Sequence, residues 1–339
     1  MRRNAPGFAS GVLTVVATLV VSTAPARAQL FPFLGGDRVG IAAMAGLKIA
    51  PDARGAAMAG SMAAVANDPA AAFWNPAALV GAGNGAMVSH APYHASTEHQ
   101  FASAHVALDD DNHVAVSAMR FGVPDMKVTT ETQPFGTGET FRARDVWGAV
   151  SYARRFTEQF SAGLTLRFAD ESIAGLSARA LLVDAGTLYH TGLGSLRFAV
   201  AVQNFGGQIR PSGTLVGRED VGEVPSEYYP PTVFTIGFGY ELIDDSTQRL
   251  TTALALNHPT DNSENLSIGA EYSVTPFGSI PLSLAARAGA RVNADDEDFS
   301  FGGGVALPEI AGFTLGIDYA YVHFRRLTAI QRFSASFSW

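Results

Sequence analysis

The sequence predicts an all-β protein, a transmembrane β-barrel of about 14 antiparallel strands with a short helical plug or hatch at its N-terminus. Three observations carry the prediction: an export signal at the start, strict two-residue alternation from about residue 86 onward, and a last strand that stops on an aromatic side chain.

The export signal is built from Arg2 and Arg3, the apolar run Gly11 to Val21, and the small-residue exit Ala26-Arg27-Ala28. That is the layout of a secretory signal peptide. An apolar run of about ten residues is too short for a bilayer-spanning helix, which needs ~20, so cleavage is expected after Ala28 and a mature start at Gln29. Asn4-Ala5-Pro6 supplies none of the hydrophobic pattern of a twin-arginine signal, and a chain with no cysteine has no site for a lipoprotein anchor. Loss of Arg2, Arg3 and Arg27 moves the net charge from −8 to −11. An acidic chain without a basic run lacks the Lys/Arg footprint of a nucleic-acid binder. An exported chain without disulfides needs a large sheet or closed barrel for its stability, and 339 residues allow one.

The strands are read from their alternation. Phe160, Ala162, Leu164, Leu166 and Phe168 fall on one side of a strand, with Ser161, Gly163, Thr165 and Arg167 on the other. Leu266, Ile268, Ala270, Tyr272 and Val274 repeat the pattern against Ser267, Gly269, Glu271 and Ser273, as do Phe313, Leu315, Ile317, Tyr319 and Tyr321 against Thr314, Gly316 and Asp318. Segments of this kind occur near 86–93, 100–108, 112–122, 144–154, 158–169, 178–190, 195–205, 231–242, 249–258, 264–274, 281–292, 297–306, 312–323 and 329–339. Most run about nine to thirteen residues, the length a tilted strand needs to cross hydrocarbon and longer than the ~5–6 of a soluble sandwich.

The two longest connections, about 123–143 and 206–230, both follow odd-numbered strands and therefore share one side. Asp109-Asp110-Asp111, Phe156-Thr157-Glu158 and Thr191-Gly192-Leu193-Gly194 follow even-numbered ones and are short. Long external loops over tight periplasmic turns are the outer-membrane pattern, which places the protein in the outer membrane of a Gram-negative-type cell, against its lipid. Lipid also demands closure, because each unpaired backbone group at an open edge costs several kcal/mol, about 2–7. The terminal strand "RFSASFSW" turns Phe333, Ala335, Phe337 and Trp339 outward; Phe337 and Trp339 form the expected signal for the barrel-assembly machinery.

Residues 29–85 are not strand-like, which divides the chain into a signal peptide (1–28), a plug or hatch segment (29–85) and the barrel (86–339). Ala53 to Ala66 reads as a helix entered through Pro51-Asp52 and stopped by Asn67-Asp68-Pro69, and a short helical turn from Ala70 to Phe73 runs into Asn75-Pro76. Small residues suit a confined space. The segment is either a plug inside a barrel too wide to be filled by its own side chains, or a periplasmic arm resting outside.

The run "FPFLGGDRVGIAAMAGLKIAPDARGAAMAGSMAAVANDPAAAFWNPAAL" resembles the N-terminal signature of the PorV/PorQ family. The matching positions are Ile49, Ala50, Pro51, Asp52, Ala53, Arg54, Gly55 and Met58, then Asp68, Phe73, Trp74, Asn75, Pro76 and Ala77; Ala59 stands where the family has a second glycine after the methionine. The Asn-Pro-Ala element is also similar to that of the FadL superfamily of barrels with an N-terminal hatch. The C-terminal "DYAYVHFRRLTAIQRFSASFSW" is similar to the family's last hairpin. The resemblance implies an accessory of type IX secretion that receives exported substrate proteins and passes them to a surface attachment complex. The FadL relationship implies the alternative, a channel for uptake of hydrophobic small molecules.

Other motifs are weighed against simpler roles. Asp52 and Arg54 either bind a partner or cap a helix and pair inside the lumen, and Asn75 either gates or ends a helical turn. His90, His94 and His99 lack the His-Glu-x-x-His helix of a zinc hydrolase, and the acidic runs Asp109–Asp111 and Asp295–Asp298 lack calcium-loop spacing, so they read as solvated turns. Glycines in "GFGY" and "FGGGVAL" mark a bend or room for a lumen occupant. No Gly-x-Ser-x-Gly elbow occurs. No catalytic, metal or cofactor residue is assigned. Tyr228, Tyr229 and Pro230 are the candidate partner-contact loop, its alternative being a loop folded over the mouth.

Overall fold

The computed structural model describes residues 41–213, 227–275, 282–307 and 312–339. The expected signal peptide, the mature start at Gln29, the "FPFLGGDRVG" part of the family signature and residues 214–226 of the second long connection lie outside them.

Fourteen long strands form the wall: β1 Gly85–Pro92, β2 Glu98–Ala107, β3 Asn112–Gly122, β4 Ala143–Arg155, β5 Phe160–Ile173, β6 Leu176–His190, β7 Arg197–Gly206, β8 Val233–Asp244, β9 Gln248–Pro259, β10 Asn265–Val274, β11 Ser283–Val292, β12 Glu297–Ala306, β13 Thr314–Phe324 and β14 Ile330–Ser338. Each pairs antiparallel with its sequence neighbours. The sheet closes because β1 also pairs with β14, from Gly85 opposite Ser338 to His90 opposite Phe333. No long strand keeps a free edge, as hydrocarbon requires.

Burial along the strands inverts the rule of soluble proteins. On β5, Leu164, Leu166 and Phe168 are 58, 54 and 54 % exposed while Thr165 and Arg167 are 1 % exposed. The apolar row faces outward to lipid and the small and polar row faces the lumen. At the C-terminus Phe333 and Phe337 are likewise exposed, Arg332 and Ser334 buried. Phe337 stacks on Phe313 at a centroid distance of 4.9 Å and lies tilted 5.9 Å from Trp339, forming an aromatic patch at the rim of the C-terminus.

The rims differ from the sequence expectation in one respect. Residues 123–142 and 207–232 are the two long connections on the odd-strand side, but the other odd-strand connections are short, Ala174-Gly175 being a two-residue turn. On the opposite rim 275–282 and 307–313 are longer than most of these. Apart from 123–142 and 207–232, the connections of the odd-strand rim are therefore short. The first of these two carries a small ribbon, Met126–Lys127 against Thr140–Phe141, with Phe135 at its tip 92 % exposed.

The helix expected over 53–66 is much shorter. Helix α1 spans Ala53–Ala57, with Asp52 accepting from Gly55 N at 2.7 Å as its N-cap. It ends because Ala59 and Gly60 take positive φ, 52° and 78°, and turn the chain. Helix α2 spans Ala71–Trp74, and Asn75 caps the 3-10 turn Pro76–Gly81 by accepting from Ala77 N at 3.0 Å.

Candidate functional site: the hatch and its two vestibules

Residues 41–84 run through the lumen from one rim to the other. At the odd-strand rim Ala43 N donates to Tyr229 O at 3.2 Å, Met44 N to Glu171 Oε2 at 2.6 Å, and Lys48 Nζ to Asp261 Oδ2 at 2.5 Å. At the opposite rim Arg155 reaches Val80 O at 3.1 Å, and Ala107 N donates to Asn84 Oδ1 at 2.8 Å. Between these ends Met58, Met62, Leu79, Asp52 and Asn75 are fully buried.

Glycine makes the close fit possible. On lumen-facing positions of the wall a methyl added at Gly289 would lie 2.5 Å from Ala59 N, at Gly163 2.7 Å from Ala77 N, and at Gly237 2.9 Å from Ala63 Cβ. Gly186 lies against the Asn75 side chain and Gly269 against Met58. Alanines of the hatch fill the space these glycines leave, so backbone meets backbone with few voids. Gly237 and Gly239 of "GFGY" and Gly302 of "FGGGVAL" take part, against Ala63, Val65 and Ala57.

The motif residues tie the hatch to itself and to the wall. Asp52 Oδ1 accepts from Trp74 Nε1 at 2.8 Å, joining the two halves of the signature, while the Trp74 ring lies over Gly55. Asn75 Nδ2 donates to Ala63 O at 2.8 Å and to Thr187 O of the wall at 3.2 Å. Pro51 O accepts from Arg332 at 3.0 Å and Ala53 N donates to Ser334 Oγ at 2.8 Å, which binds the hatch to the last strand. Arg54 forms a two-pronged pair with Glu271, Nε to Oε2 at 2.8 Å and Nη2 to Oε1 at 2.9 Å, and its Nη1 reaches Asp68 at 3.0 Å. Arg287 bridges Glu271 and Asp318 at 2.5 Å each. Desolvated charges in such a place are stable only when paired on all sides, and here wall and hatch supply the partners jointly.

A second buried cluster lies on a different part of the wall, on β5, β6 and β7. Arg167 stacks 4.4 Å over the Trp147 ring and donates to Asp184 at 2.6 Å and to Asn204. Asp184 accepts from Asn204 N at 2.6 Å, holding a bulge between β6 and β7 where Asn204 takes φ 59°. The sequence reading missed Glu271, Arg287, Asp318, Arg332 and this cluster as site residues; charge in mid-strand on a lumen row was the available signal.

The hatch separates two cavities that share no lining residue. The upper one, about 340 Å³, opens between the odd-strand connections and has Gly60, Phe73 and Trp74 in its floor. The lower one, about 380 Å³, is lined by Ala64 to Asn67 of the hatch with Arg155, Glu158, His190 and Arg197.

Other residues singled out in the sequence are scattered. His90 is exposed and His99 is buried against Arg332, 2.9 Å from its guanidinium, so the nearby histidines do not converge. Asp109 accepts from the backbone N–H groups of Asp111 and Asn112 in a tight turn, and those bonds hold its carboxyl below the usual range. Tyr229 is exposed, Tyr228 half-buried and paired with Ile209, and Pro230 buried. That stretch is joined to Ala42 and Ala43, so it is tied to the hatch leader as well as reaching solvent.

A closed fourteen-strand barrel with exposed apolar rows and an N-terminal hatch defines the class: a membrane-spanning β-barrel filled by its own N-terminal segment. The family description Type IX secretion system protein PorV matches residues 36–261, and the chain belongs to that family. No curated protein sequence matches it. Among solved structures it is similar to the CymD monoaromatic hydrocarbon channel (12 % identity, TM-score 0.58, 85 % of this chain and 97 % of that one). It is also similar to the Pseudomonas putida toluene transporter TodX (11 %, 0.54, 85 and 96 %) and a Pseudomonas aeruginosa FadL homologue (11 %, 0.51, 85 and 98 %). At such identities these likenesses concern the fold alone. Family and fold together imply the outer membrane, and neither is described as an enzyme.

Proposed function

We propose that this protein is an accessory barrel of type IX protein secretion, binding exported proteins or the surface attachment complex at its odd-strand rim. Family membership carries the reading. The tightly packed hatch, with a cavity on either side and no lining residue common to the two, supports it, since a barrel that docks proteins needs no continuous lumen. In this reading the odd-strand rim is external, the signal peptide is removed after Ala28, and Phe337 and Trp339 are read during assembly. The contact surface would be the two long connections, through Phe135 and through Tyr228, Tyr229 and Pro230.

Uptake of hydrophobic molecules is the second reading, favoured by the fold shared with hydrocarbon channels. The experiment places a photo-crosslinking residue at Phe135 or Tyr229 in the producing cell, with lipid-facing Leu166 as control. Type IX accessory function predicts adducts to exported proteins or attachment components from the first two positions only, and loss of their secretion when the gene is deleted. Toluene entry into liposomes containing the purified barrel, without those adducts, would establish uptake instead.

A further inference from the structure

The upper vestibule has a chemistry that neither reading uses. Its cavity of about 340 Å³ lies at the small end of the ~300–1,000 Å³ typical of small-molecule sites. Its polar lining combines side-chain amides, among them Asn257, Asn262, Asn265 and Asn293, with the carboxylates Asp295, Asp296 and Glu297, acceptors for further hydroxyl groups. Carboxamides carry donors and acceptors together, which suits a ligand rich in hydroxyl groups. Among the described residues Asn265 Nδ2 and Asn293 Oδ1 have no hydrogen-bond partner, whereas the cations are already committed: Lys48 to Asp261 at 2.5 Å, and Arg291 to Glu297. Among the described lining residues no unpaired positive group is left for a phosphate or carboxylate. The rings of Trp74, Tyr93 and Phe324 supply apolar area.

We propose that this vestibule is a carbohydrate-binding site, taking roughly one or two neutral sugar rings with an apolar face on the aromatic side chains and hydroxyls on the asparagine amides. A hydrocarbon would leave the amides desolvated without partners, at a cost of about 1–3 kcal/mol each. An extended peptide is recognised chiefly through a free strand edge, and all the long strands around this cup are paired on both sides. The blind floor also stops a polymer from passing through, so the site would hold a chain end or a short branch.

The test uses the full mature protein in detergent micelles, with ligand-observed NMR and tryptophan fluorescence as readouts. The probes are the neutral sugars maltose and N,N′-diacetylchitobiose, a neutral tripeptide amide, and toluene. The expected result is saturable binding of at least one of the two sugars, weakened about tenfold in Asn265→Leu, the factor expected from roughly one lost hydrogen bond and its unpaired partner. A second variant, Tyr93→Leu, tests the aromatic contribution at the mouth without touching the amides, and is expected to weaken the same sugar. Heat-modifiable gel mobility checks that each variant is folded. Absence of saturation for both sugars, equal affinity in folded forms of both variants, or saturation by the tripeptide or toluene alone would overturn the proposal.

Discussion

Ala288 and Gly289 are neighbours on β11 and answer to different solvents. Ala288 points to lipid, where any apolar side chain that fits is tolerated, while Gly289 faces the lumen with the hatch backbone directly against it. The outward row is specified by polarity alone. The inward row is specified by shape and charge, residue by residue, because a second piece of chain must fit inside it.

The sharpest way to break that contrast is to exchange volume across the wall. Gly289→Val places carbon where Met58 and Ala59 backbone already lies, and the wall can shift only by disturbing its paired neighbours. We expect the hatch to be expelled or the barrel to fail in assembly, read as protease cleavage between residues 53 and 80 and as ion conductance in planar bilayers. Ala288→Val should leave both measurements at the wild-type level. Equal behaviour of the two variants would mean that the hatch does not pack where it is placed here.

Next in size is removal of charge from the joint between hatch and wall. Arg54→Ala leaves Asp68 and half of Glu271 without a counterion in a site almost closed to water, a loss of about 3–5 kcal/mol for a broken buried pair. Arg287 still holds Glu271, which keeps the wall intact while the hatch loosens. Intermittent conductance and faster amide exchange confined to the hatch are expected, with the barrel's heat-modifiable mobility retained. The matching outward change, Leu166→Arg, should do the reverse: about 2–4 kcal/mol less stable in urea unfolding, as for a cation on the lipid face near mid-membrane, with the hatch unaffected.

The same contrast explains what could be read from the sequence. The fourteen strands and their faces were legible because lipid imposes a period of two on everything it touches; Leu164, Thr165, Leu166 and Arg167 state their orientation by polarity alone. The hatch motif was legible as a motif, but its partners were not. Asp52 is joined to Trp74 over 22 positions and Pro51 to Arg332 over 281, and no local periodicity encodes such meetings. Helix α1 stops early because Ala59 and Gly60 adopt positive φ at a turn beside β11, a tertiary demand that the alanine-rich run does not betray. The vestibule sets asparagines of the neighbouring segments 257–293 opposite Trp74, Tyr93 and Phe324, which are distant in the chain, so its amide and aromatic sides meet only once the barrel is closed around the hatch.

The smallest effect lies outside the membrane, where neither lipid nor hatch constrains the chain. In the turn after β8, Asp245 accepts from the backbone N–H groups of Thr247 and Gln248 and from both their side chains, which draw its carboxyl down to about 2. The folded carboxyl is more acidic than the unfolded one, near 3.9, so the ionised form stabilises the turn. That contribution is complete above the unfolded value and disappears as pH falls toward 2. The β8–β9 turn should therefore keep its amide shifts through pH 4 in a micelle NMR titration and lose them only below about 3. Asp245→Asn should give turn shifts that no longer respond over that range, with no change in hatch protection. A simultaneous shift in the hatch resonances would mean that rim and lumen are coupled, contrary to the independence of the two environments argued from Ala288 and Gly289.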